Sequence, residues 1–275
     1  MTGDTDILER VNALKAAGEA FALATVVRTV SVTAAKAGAK AVIGVDGSLS
    51  AGWIGGGCAR GAVLRAAREA LADGKPRLIS VQPEDVLSAR GVTAGEEREG
   101  VAYARNMCPS KGTMDIFIEP VLPRPELVIC GASPVALALA DLAPRFGFAV
   151  TACAPAGDLA MMPDHARRVE GFTIDGTGNG ARFIVVSTQG RGDEAALRAA
   201  LTAPARYTAF VGSHAKVAAL RARLVADAVA DARFDSLHAP AGLDIGAITP
   251  EEIALSILAE MITHRRAGQR AEAQG

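Results

Sequence analysis

The sequence predicts an α/β protein in which a small N-terminal α/β domain, residues 1–123, precedes a parallel-sheet domain, residues 124–264. From Leu127 onward, apolar runs rich in Val and Ile alternate with segments of helical periodicity, a pattern typical of a parallel sheet covered by helices. The first half contains a hairpin signal instead. The stretch PRPE, residues 123–126, separates the two patterns and marks the domain boundary.

The N-terminal half is predicted to begin with an amphipathic helix and to continue mainly as strands. Residues 84–105 are charged and interrupted by glycines, so they predict a mobile loop or short helices. The other elements are a strand at Ala22–Val30, a hairpin turning at Asp46–Gly47, a helix at Ala59–Asp73 ending at Gly74, and strands at 77–81 and Met114–Leu122.

The C-terminal half predicts a right-handed parallel sheet with helices on both faces. Residues 265–275 are expected to form a flexible tail. The elements in chain order are a strand from Leu127, a helix ending near Gly147, a strand in 148–155, a strand in Arg182–Thr188, a helix around Glu194–Leu201 and a strand in Tyr207–Ser213.

The composition excludes several classes of function. A net charge of −1 over 275 residues argues against a general attraction to nucleic acid or anionic lipid. No apolar run approaches the roughly 18 residues that span a bilayer, and the charged N-terminus does not resemble a secretory signal. The four cysteines are widely spaced, which predicts thiols in a reducing compartment and a cytoplasmic location.

The stretch GWIGGGCARGAV, residues 52–63, places three glycines and a cysteine directly before a predicted helix. The N–H groups and the positive dipole end of a helix start attract anions, and a cysteine there has its thiolate favoured. Gly55, Gly56, Gly57 and Cys58 therefore predict a phosphate-binding or reactive site. The alternative is a tight turn in which Cys58 fills a small buried gap.

The parallel-sheet domain carries an incomplete dinucleotide-binding fingerprint. The Rossmann pattern G-x-G-x-x-G is GASPVA here, so Gly131 is retained while Ser133 and Ala136 replace the other two glycines. Ser133 is expected to bring a side chain toward the phosphate path, and Asp158 lies several residues beyond the position where an acid is expected for the ribose. These residues predict a Rossmann-like scaffold without a tight NAD site. The alternative is a modified nucleotide or phosphate site at the same strand ends.

A second strand-to-helix turn is VGSHAK, residues 211–216. Gly212, Ser213 and Lys216 are suited to an anion-binding helix start with donors around it. In the alternative interpretation, Ser213 is only the N-cap, with His214 and Lys216 exposed on the first turn.

The segment before the last helix combines a helix start with a glycine-containing loop. Thr249 at the N-cap, Pro250 at the first position and the acidic pair Glu251–Glu252 predict the start of a helix. The preceding loop PAGLDIG, residues 240–246, adds Asp244 to flexible glycines, a composition suited to a loop that shapes a site or an interface.

The GGGC turn, together with APAGLDIGAITPEEIALSILAEM in residues 239–261, resembles the XdhC/CoxI maturation factors of molybdenum hydroxylases over nearly the whole chain. Cys58 matches the family's Gly-Gly-Cys turn, and Cys108 lies where relatives have a Cys-Gly-Gly. The family's GS-x-x-K turn is matched by Gly212, Ser213 and Lys216.

This resemblance implies a protein without turnover of its own that binds the molybdenum cofactor, in a pterin dinucleotide form. It would help to install the cofactor in xanthine dehydrogenase or carbon monoxide dehydrogenase. The resemblance also implies a cytoplasmic homodimer that docks on the apo-enzyme and on a sulfur-loading partner. The candidate cofactor-binding residues are Gly55, Gly56, Gly57, Cys58, Gly131, Ser133, Gly212, Ser213, Lys216 and Asp244.

The chain departs from the family pattern at three turns. Residues 31–38 carry an offset Lys36 in place of an arginine, and GASP in residues 131–134 replaces a Gly-Ala-Gly-His turn. Residues 187–193 lack two histidines that relatives have after a strand. These departures favour the carbon monoxide dehydrogenase accessory proteins, CoxF and CoxI, over ordinary xanthine dehydrogenase factors.

A separate set of candidate metal ligands consists of soft sulfur donors. Cys58 and Cys108 are predicted to converge across one cleft and, with Met107, to suit Cu(I). Plain packing is the favoured interpretation of Met107 itself. The MMPDH segment, residues 161–165, is a second soft cluster, but methionine pairs are more often core filler. Two alternative functions follow: a Cu(I) carrier for a Mo/Cu site, and an NAD- or FAD-dependent oxidoreductase, against which the incomplete fingerprint argues.

Overall fold

The computed structural model describes residues 3–108, 111–175, 181–227 and 229–271, and of residues 3–5, 58 and 268–271 it describes the backbone only. The chain divides into two compact units, Met1–Pro123 and Arg124–Gly275. None of the helices in the described part of the chain combines the length and the apolar character that a membrane span requires.

The N-terminal unit packs helices on a mixed sheet. Its described helices are α1 (Gly3–Ala17), α2 (Gly57–Asp73) and α3 (Glu84–Ala89), and its strands are β1 (Phe21–Val30), β2 (Lys40–Gly44), β3 (Leu49–Gly52), β4 (Arg77–Gln82), β5 (Glu97–Arg98), β6 (Val101–Arg105) and β7 (Thr113–Val121). The strands form one sheet in the order β3-β2-β1-β7-β4-β6-β5. Strands β4 and β6 pair in parallel, and the other pairings are antiparallel.

Helix α2 covers one face of this sheet and α1 covers the other. Successive strand residues point to opposite faces, so the strands contribute side chains to an apolar cluster under each helix. The larger cluster, under α2, includes Val63, Ala67, Ile116 and Ile118. The smaller cluster, under α1, consists of Ile7, Val11, Leu14, Phe21 and Val42.

The turns predicted in this unit are confirmed. Strands β2 and β3 form the expected hairpin, and the backbone N–H of Ser48 donates a 2.9 Å hydrogen bond to Oδ1 of Asp46. Helix α2 begins at Gly57, slightly before the predicted start. It ends at Asp73 and is capped by Gly74, whose φ of 74° lies in the left-handed region and whose N–H donates to the carbonyl of Ala70.

The prediction for residues 84–105 is partly wrong. The expected short helix is present as α3, but the following residues form the strands β5 and β6 rather than a mobile loop. Strand β6 pairs in parallel with β4, and its side chains are only partly buried. A strand near the edge of a sheet needs little apolar periodicity, so its sequence VAYAR gives a weak signal.

The C-terminal unit has one parallel sheet with helices on both faces. Its described helices are α4 (Pro134–Leu142), α5 (Ala156–Leu159), α6 (Asp193–Thr202), α7 (His214–Ala226) and α8 (Pro250–Ala271), and its strands are β8 (Glu126–Cys130), β9 (Ala149–Ala154), β10 (Arg167–Glu170), β11 (Arg182–Val186), β12 (Tyr207–Phe210) and β13 (Leu237–His238). All pairings in the order β10-β9-β8-β11-β12-β13 are parallel. This is the Rossmann strand order, so the predicted fold class is confirmed.

The residues of β8 show how the core of this unit is divided. Leu127 and Ile129 pack into the cluster that contains residues of α4 and α8, whereas Val128 and Cys130 pack into the cluster that contains residues of α6 and α7. A strand buried on both faces reads as a continuous apolar run, which explains why the sequence pattern was clear here.

Helix α8 begins as predicted. The N–H of Glu252 donates to Oγ1 of Thr249 at 3.3 Å, and the N–H of Thr249 donates to Oε2 of Glu252 at 2.9 Å, which is a reciprocal capping box. The helix continues through Ala271, into the segment expected to be a flexible tail. Arg265 secures this extension, since its guanidinium donates to the carbonyl of Phe146 and lies 4.8 Å from the Phe148 ring centroid.

Candidate functional site

The turn after β8 approaches the end of β11 very closely. Gly131 has a φ of 111°, and a Cβ atom added there would clash with the carbonyl oxygen of Ser187. The Gly131 N–H donates a 2.8 Å hydrogen bond to the carbonyl of Cys153. The glycine retained from the fingerprint is therefore required by backbone packing between three neighbouring strands, whether or not a nucleotide binds.

The expectation that Ser133 projects toward a phosphate path is wrong. Its side chain is buried, its Oγ accepts a 3.1 Å hydrogen bond from the N–H of Ala136, and it lies 2.6 Å from Oγ of Ser187. As the N-cap of α4, Ser133 turns its hydroxyl back onto the first turn of the helix. The hydroxyl is thereby committed to internal hydrogen bonds.

In the VGSHAK turn, Ser213 is the N-cap of α7, because its Oγ accepts a hydrogen bond from the Lys216 N–H. The ammonium group of Lys216 lies 2.7 Å from Oδ2 of Asp193. Oδ1 of Asp193 accepts hydrogen bonds from the Thr188 hydroxyl and from the Gly190 N–H. These groups lie at the carboxyl ends of β11 and β12, where open α/β sheets place their sites.

The pKa of Asp193 reflects this arrangement. Burial acts to raise it, but the hydrogen bonds from Lys216, Thr188 and Gly190, in that order, outweigh burial and hold the pKa below its ordinary value of 3.8. The carboxylate is thus ionised and paired, and Lys216 is already engaged by an internal anion.

Asp244 lies on the exposed loop after β13. Its Oδ1 is 3.4 Å from the Gly246 N–H, which shapes a local turn. The same loop is anchored through Gly242, where a Cβ atom would clash with Oγ of Ser256. Leu243 and Ile245 beside it are exposed. The loop therefore exposes the apolar side chains of Leu243 and Ile245 to solvent, while Gly242 is packed closely against Ser256.

The N-terminal unit contains a cavity of about 300 Å³ at the start of α2. It is lined by Thr33, Ala34, Gly56, Gly57, Ala59, Asn106, Met107, Cys108 and Met114. Two turns that are far apart in the sequence, the GGGC turn and the turn containing Cys108, thus border the same cavity.

The start of α2 lacks the usual side-chain cap. Gly56 occupies the N-cap position with no side-chain hydrogen bond, and the first turn of the helix contains no acidic residue. The backbone N–H groups of a first turn have no intrahelical partner and carry the positive end of the helix dipole. The start of α2 is therefore electropositive where it meets the cavity.

Soft side chains border this cavity. Cys108 and Met107 are exposed, Met114 is buried, and the Cys108 N–H donates to Oδ1 of Asn106 at 2.9 Å. Of Cys58 only the backbone is described, so its sulfur lies outside the described atoms. The second soft cluster does not converge: Met162 packs in the core, and Met161 is exposed. His165 directs its Nε2 at the carbonyl of Ala140.

The sequence analysis missed a polar cluster in the C-terminal unit. Tyr207, His238, Glu260 and His264 lie together between β12, β13 and α8. The spacing of Glu260 and His264, four residues apart on one helix, was the available signal, because such residues share a face.

Two family models match the chain: the XdhC and CoxI family over residues 14–82, and the XdhC Rossmann domain over residues 127–261. The chain belongs to the XdhC/CoxI family. The second match covers nearly all of the six-stranded sheet and about half of α8, so the family's Rossmann domain lies within the C-terminal unit described above.

Two curated proteins are similar to the chain. The uncharacterized protein YqeB of Escherichia coli K12 is 30% identical over 254 residues, which is 88% of this chain and 43% of YqeB. A Bacillus subtilis 168 protein described as a probable xanthine dehydrogenase subunit is 29% identical over 162 residues, 56% of this chain and 47% of that protein. The chain spans less than half the length of both relatives.

A solved structure described as a xanthine dehydrogenase from Bacillus halodurans also matches this chain. The match has a TM-score of 0.44 and 19% sequence identity, and it covers 97% of this chain and 96% of the other.

Proposed function

We propose that the chain is an accessory factor in the maturation of a molybdenum hydroxylase, and that it binds an anionic part of the molybdenum cofactor at the start of α2. Membership of the XdhC/CoxI family supports the role, as does the likeness to a probable xanthine dehydrogenase subunit. One observation carries the choice of site: an uncapped helix start and an exposed thiol border the same cavity.

The residues around the cavity fit one moiety of such a cofactor. Backbone N–H groups at Gly57 and beyond would bind a phosphate or an anionic pterin group. Cys108 and Met107 offer sulfur donors to a soft centre. A volume of about 300 Å³ is at the lower end for small-molecule pockets, so the rest of a dinucleotide form would extend beyond it. When bound, the cofactor supplies the redox chemistry of the target enzyme, and this chain holds and transfers it.

Among molybdenum hydroxylases, we favour an enzyme of the carbon monoxide dehydrogenase type as the target. The support is the departure of residues 31–38 and 187–193 from the pattern of ordinary xanthine dehydrogenase factors. In the C-terminal unit, the ammonium group of Lys216 is already paired with Asp193, which favours the N-terminal cavity as the cofactor site.

The test is anaerobic co-purification followed by transfer. The protein is made in cells that synthesise the cofactor, and bound molybdenum and pterin are quantified. It is then mixed with apo forms of xanthine dehydrogenase and of carbon monoxide dehydrogenase, and recovery of activity is measured. Co-purification of both components and faster activation of one apo-enzyme are expected. Absence of molybdenum and pterin, with unchanged activation, would contradict the proposal.

A second candidate function is transport of Cu(I) for a Mo/Cu site. The observation that favours it is the convergence of Met107, Cys108 and Met114 on one cavity that the GGGC turn also borders. Anaerobic Cu(I) titration against a competing chelator tests this candidate. One ion per chain is expected, and Cys58→Ser or Cys108→Ser alone should abolish most of the affinity. Unchanged affinity in both variants would exclude Cu(I) binding at this cavity.

A further inference from the structure

A compact cluster of aromatic and acidic side chains lies at the β13 end of the six-stranded sheet. The ring of His238 stacks on that of Tyr207 with a centroid distance of 4.6 Å, and the ring of His264 meets His238 edge-on at 4.5 Å. Glu260 lies within the cluster, and its Oε1 is 2.7 Å from Nδ1 of His238. All three potential ligand residues, His238, Glu260 and His264, are partly buried.

Local sequence and sheet topology bring these residues together. Glu260 and His264 are four residues apart on α8, so their side chains lie on one face, a spacing that helical metal ligands use. His238 reaches the same place because β13 pairs in parallel with β12, with His238 opposite Ala209. The cluster therefore joins a short edge strand to a long helix.

The carboxylate of Glu260 is held in a fixed orientation. Its Oε2 accepts hydrogen bonds from the Tyr207 hydroxyl at 2.6 Å and from the Gly242 N–H at 2.8 Å. A carboxylate has about four lone-pair positions, so Oε1 retains one beyond its contact with His238. Within the described part of the chain, neither the Nε2 atom of His238 nor either ring nitrogen of His264 has a hydrogen-bond partner.

We propose that His238, Glu260 and His264 form a binding site for a divalent transition-metal ion. A ring nitrogen of each histidine and a carboxylate oxygen of Glu260 all lie within 4.8 Å of one another. Two imidazoles and one carboxylate are the ligands of many zinc sites and also suit Fe²⁺. Tetrahedral Zn²⁺ with bonds of about 2.1 Å needs ligand atoms about 3.4 Å apart, so the most widely separated pair must close by at most about 1.4 Å.

The bound ion would cross-link β13, through His238, to α8, through Glu260 and His264. With three protein ligands, it would retain an open coordination position for water or another small ligand. The site lies entirely in the C-terminal unit and does not depend on the proposed maturation role. Because a folded site binds the ion and an unfolded chain does not hold these three residues together, metal should raise the thermal stability of that unit.

Calorimetric titration of the full-length, metal-stripped protein with Zn²⁺, Fe²⁺ and Mn²⁺ tests the proposal. The Cys58→Ser and Cys108→Ser substitutions are included as the background, so that the N-terminal thiols do not compete. One Zn²⁺ per chain is expected, with an increase in melting temperature. Adding His264→Asn or Glu260→Gln should weaken binding by about 100-fold or more, since even the loss of a supporting residue around a metal costs up to about that factor.

The matched control is His214→Asn, because His214 is exposed at the start of α7, outside the cluster, and should leave the affinity unchanged. X-ray absorption of the zinc-loaded background protein provides a readout that needs no variant at the cluster, and two imidazole nitrogens at about 2.0 Å are expected. Unchanged affinity in folded His264→Asn protein, fewer than two imidazole ligands, or no stoichiometric binding of any of the three ions would overturn the proposal.

Discussion

The hydroxyl of Tyr207 donates a 2.6 Å hydrogen bond to Oε2 of Glu260, the same oxygen that accepts the Gly242 N–H. Burial, and next the hydrogen bond to Glu260, raise the pKa of Tyr207 well above its ordinary value of 10.0, so the phenol remains protonated and acts as a donor. One carboxylate thus ties the sheet and the loop after β13 to helix α8.

The substitution Tyr207→Phe removes this donor without changing the packing of the ring. A hydrogen bond to a charged group contributes about 1.5–3 kcal/mol, and we expect the free energy of unfolding to fall by that amount. Chemical denaturation followed by circular dichroism measures the change. The control is Tyr103→Phe, since Tyr103 has no side-chain hydrogen bond among the described residues, and a loss as large there would refute the assignment.

The paired carboxylate of Asp193 predicts a pH-dependent stability. Because its folded-state pKa lies below 3.8, its contribution is complete above pH 3.8 and is lost as the pH falls through the lower folded-state value. At pH 7 we expect Asp193→Asn to cost about 1–2 kcal/mol. The deficit relative to wild type should shrink as the pH falls below 3.8.

Melting temperatures measured across this pH range test the Asp193 prediction. Asp164→Asn serves as the control, since the side chain of Asp164 is fully exposed and its ion pair with Arg168 should contribute little. A deficit at Asp193 that is constant with pH would show that the carboxylate is not the source of the stability.

The cysteines are expected to differ in role. Cys58→Ser and Cys108→Ser should leave the melting temperature nearly unchanged and reduce retention of molybdenum and pterin.

Cys130 provides the contrast, because its side chain is buried. Its hydrogen bond to Cys153, together with burial, raises the pKa of its thiol. Cys130→Ser should destabilise the fold by about 1–3 kcal/mol by burying a hydroxyl. A large loss of stability in Cys58→Ser would support the packing interpretation of Cys58.

Gly131→Ala tests the close approach between the turn after β8 and the end of β11. The added Cβ would meet backbone of Ser187 at a positive φ, so neither flexible neighbours nor the local backbone can accommodate it. We expect a loss of about 2–4 kcal/mol, measured by chemical denaturation. Gly157→Ala, at a position with open space and without positive φ, should be close to neutral. Equal effects at the two positions would contradict the packing argument.

Nucleotide binding is the last test. With Ser133 turned inward and Lys216 engaged by Asp193, we expect calorimetry to show no NAD or NADP binding tighter than about 1 mM, equivalent to about −4 kcal/mol. A micromolar dissociation constant would instead revive the oxidoreductase function, with Ser133 as a tolerated replacement for glycine.

The sequence predicted the elements that bury continuous or strictly periodic apolar faces. Strand β8 is one example. The capped start of α8 at Thr249 was also predictable, for a different reason: its signal lies in neighbouring residues. Strand β6 was missed because it is only half-buried, so its apolar pattern is weak.

The site was less accessible to sequence reasoning, because it depends on contacts between distant segments. The Ser133 hydroxyl caps its own helix, but its second partner, Ser187, is 54 residues away in the chain. The spacing of Glu260 and His264 was visible in the sequence, but the arrival of His238 beside them follows only from the pairing of β13 with β12.

Three of the four edge strands of the two sheets are poorly suited to pairing with a second chain. Strands β5 and β13 contain two residues each, and β10 has the sequence RRVE with three exposed charged side chains. Short or charged edges offer few unpaired backbone groups to a second chain and so discourage edge-to-edge aggregation. A homodimer of the kind that the family resemblance implies is therefore not expected to form by pairing at these three edges.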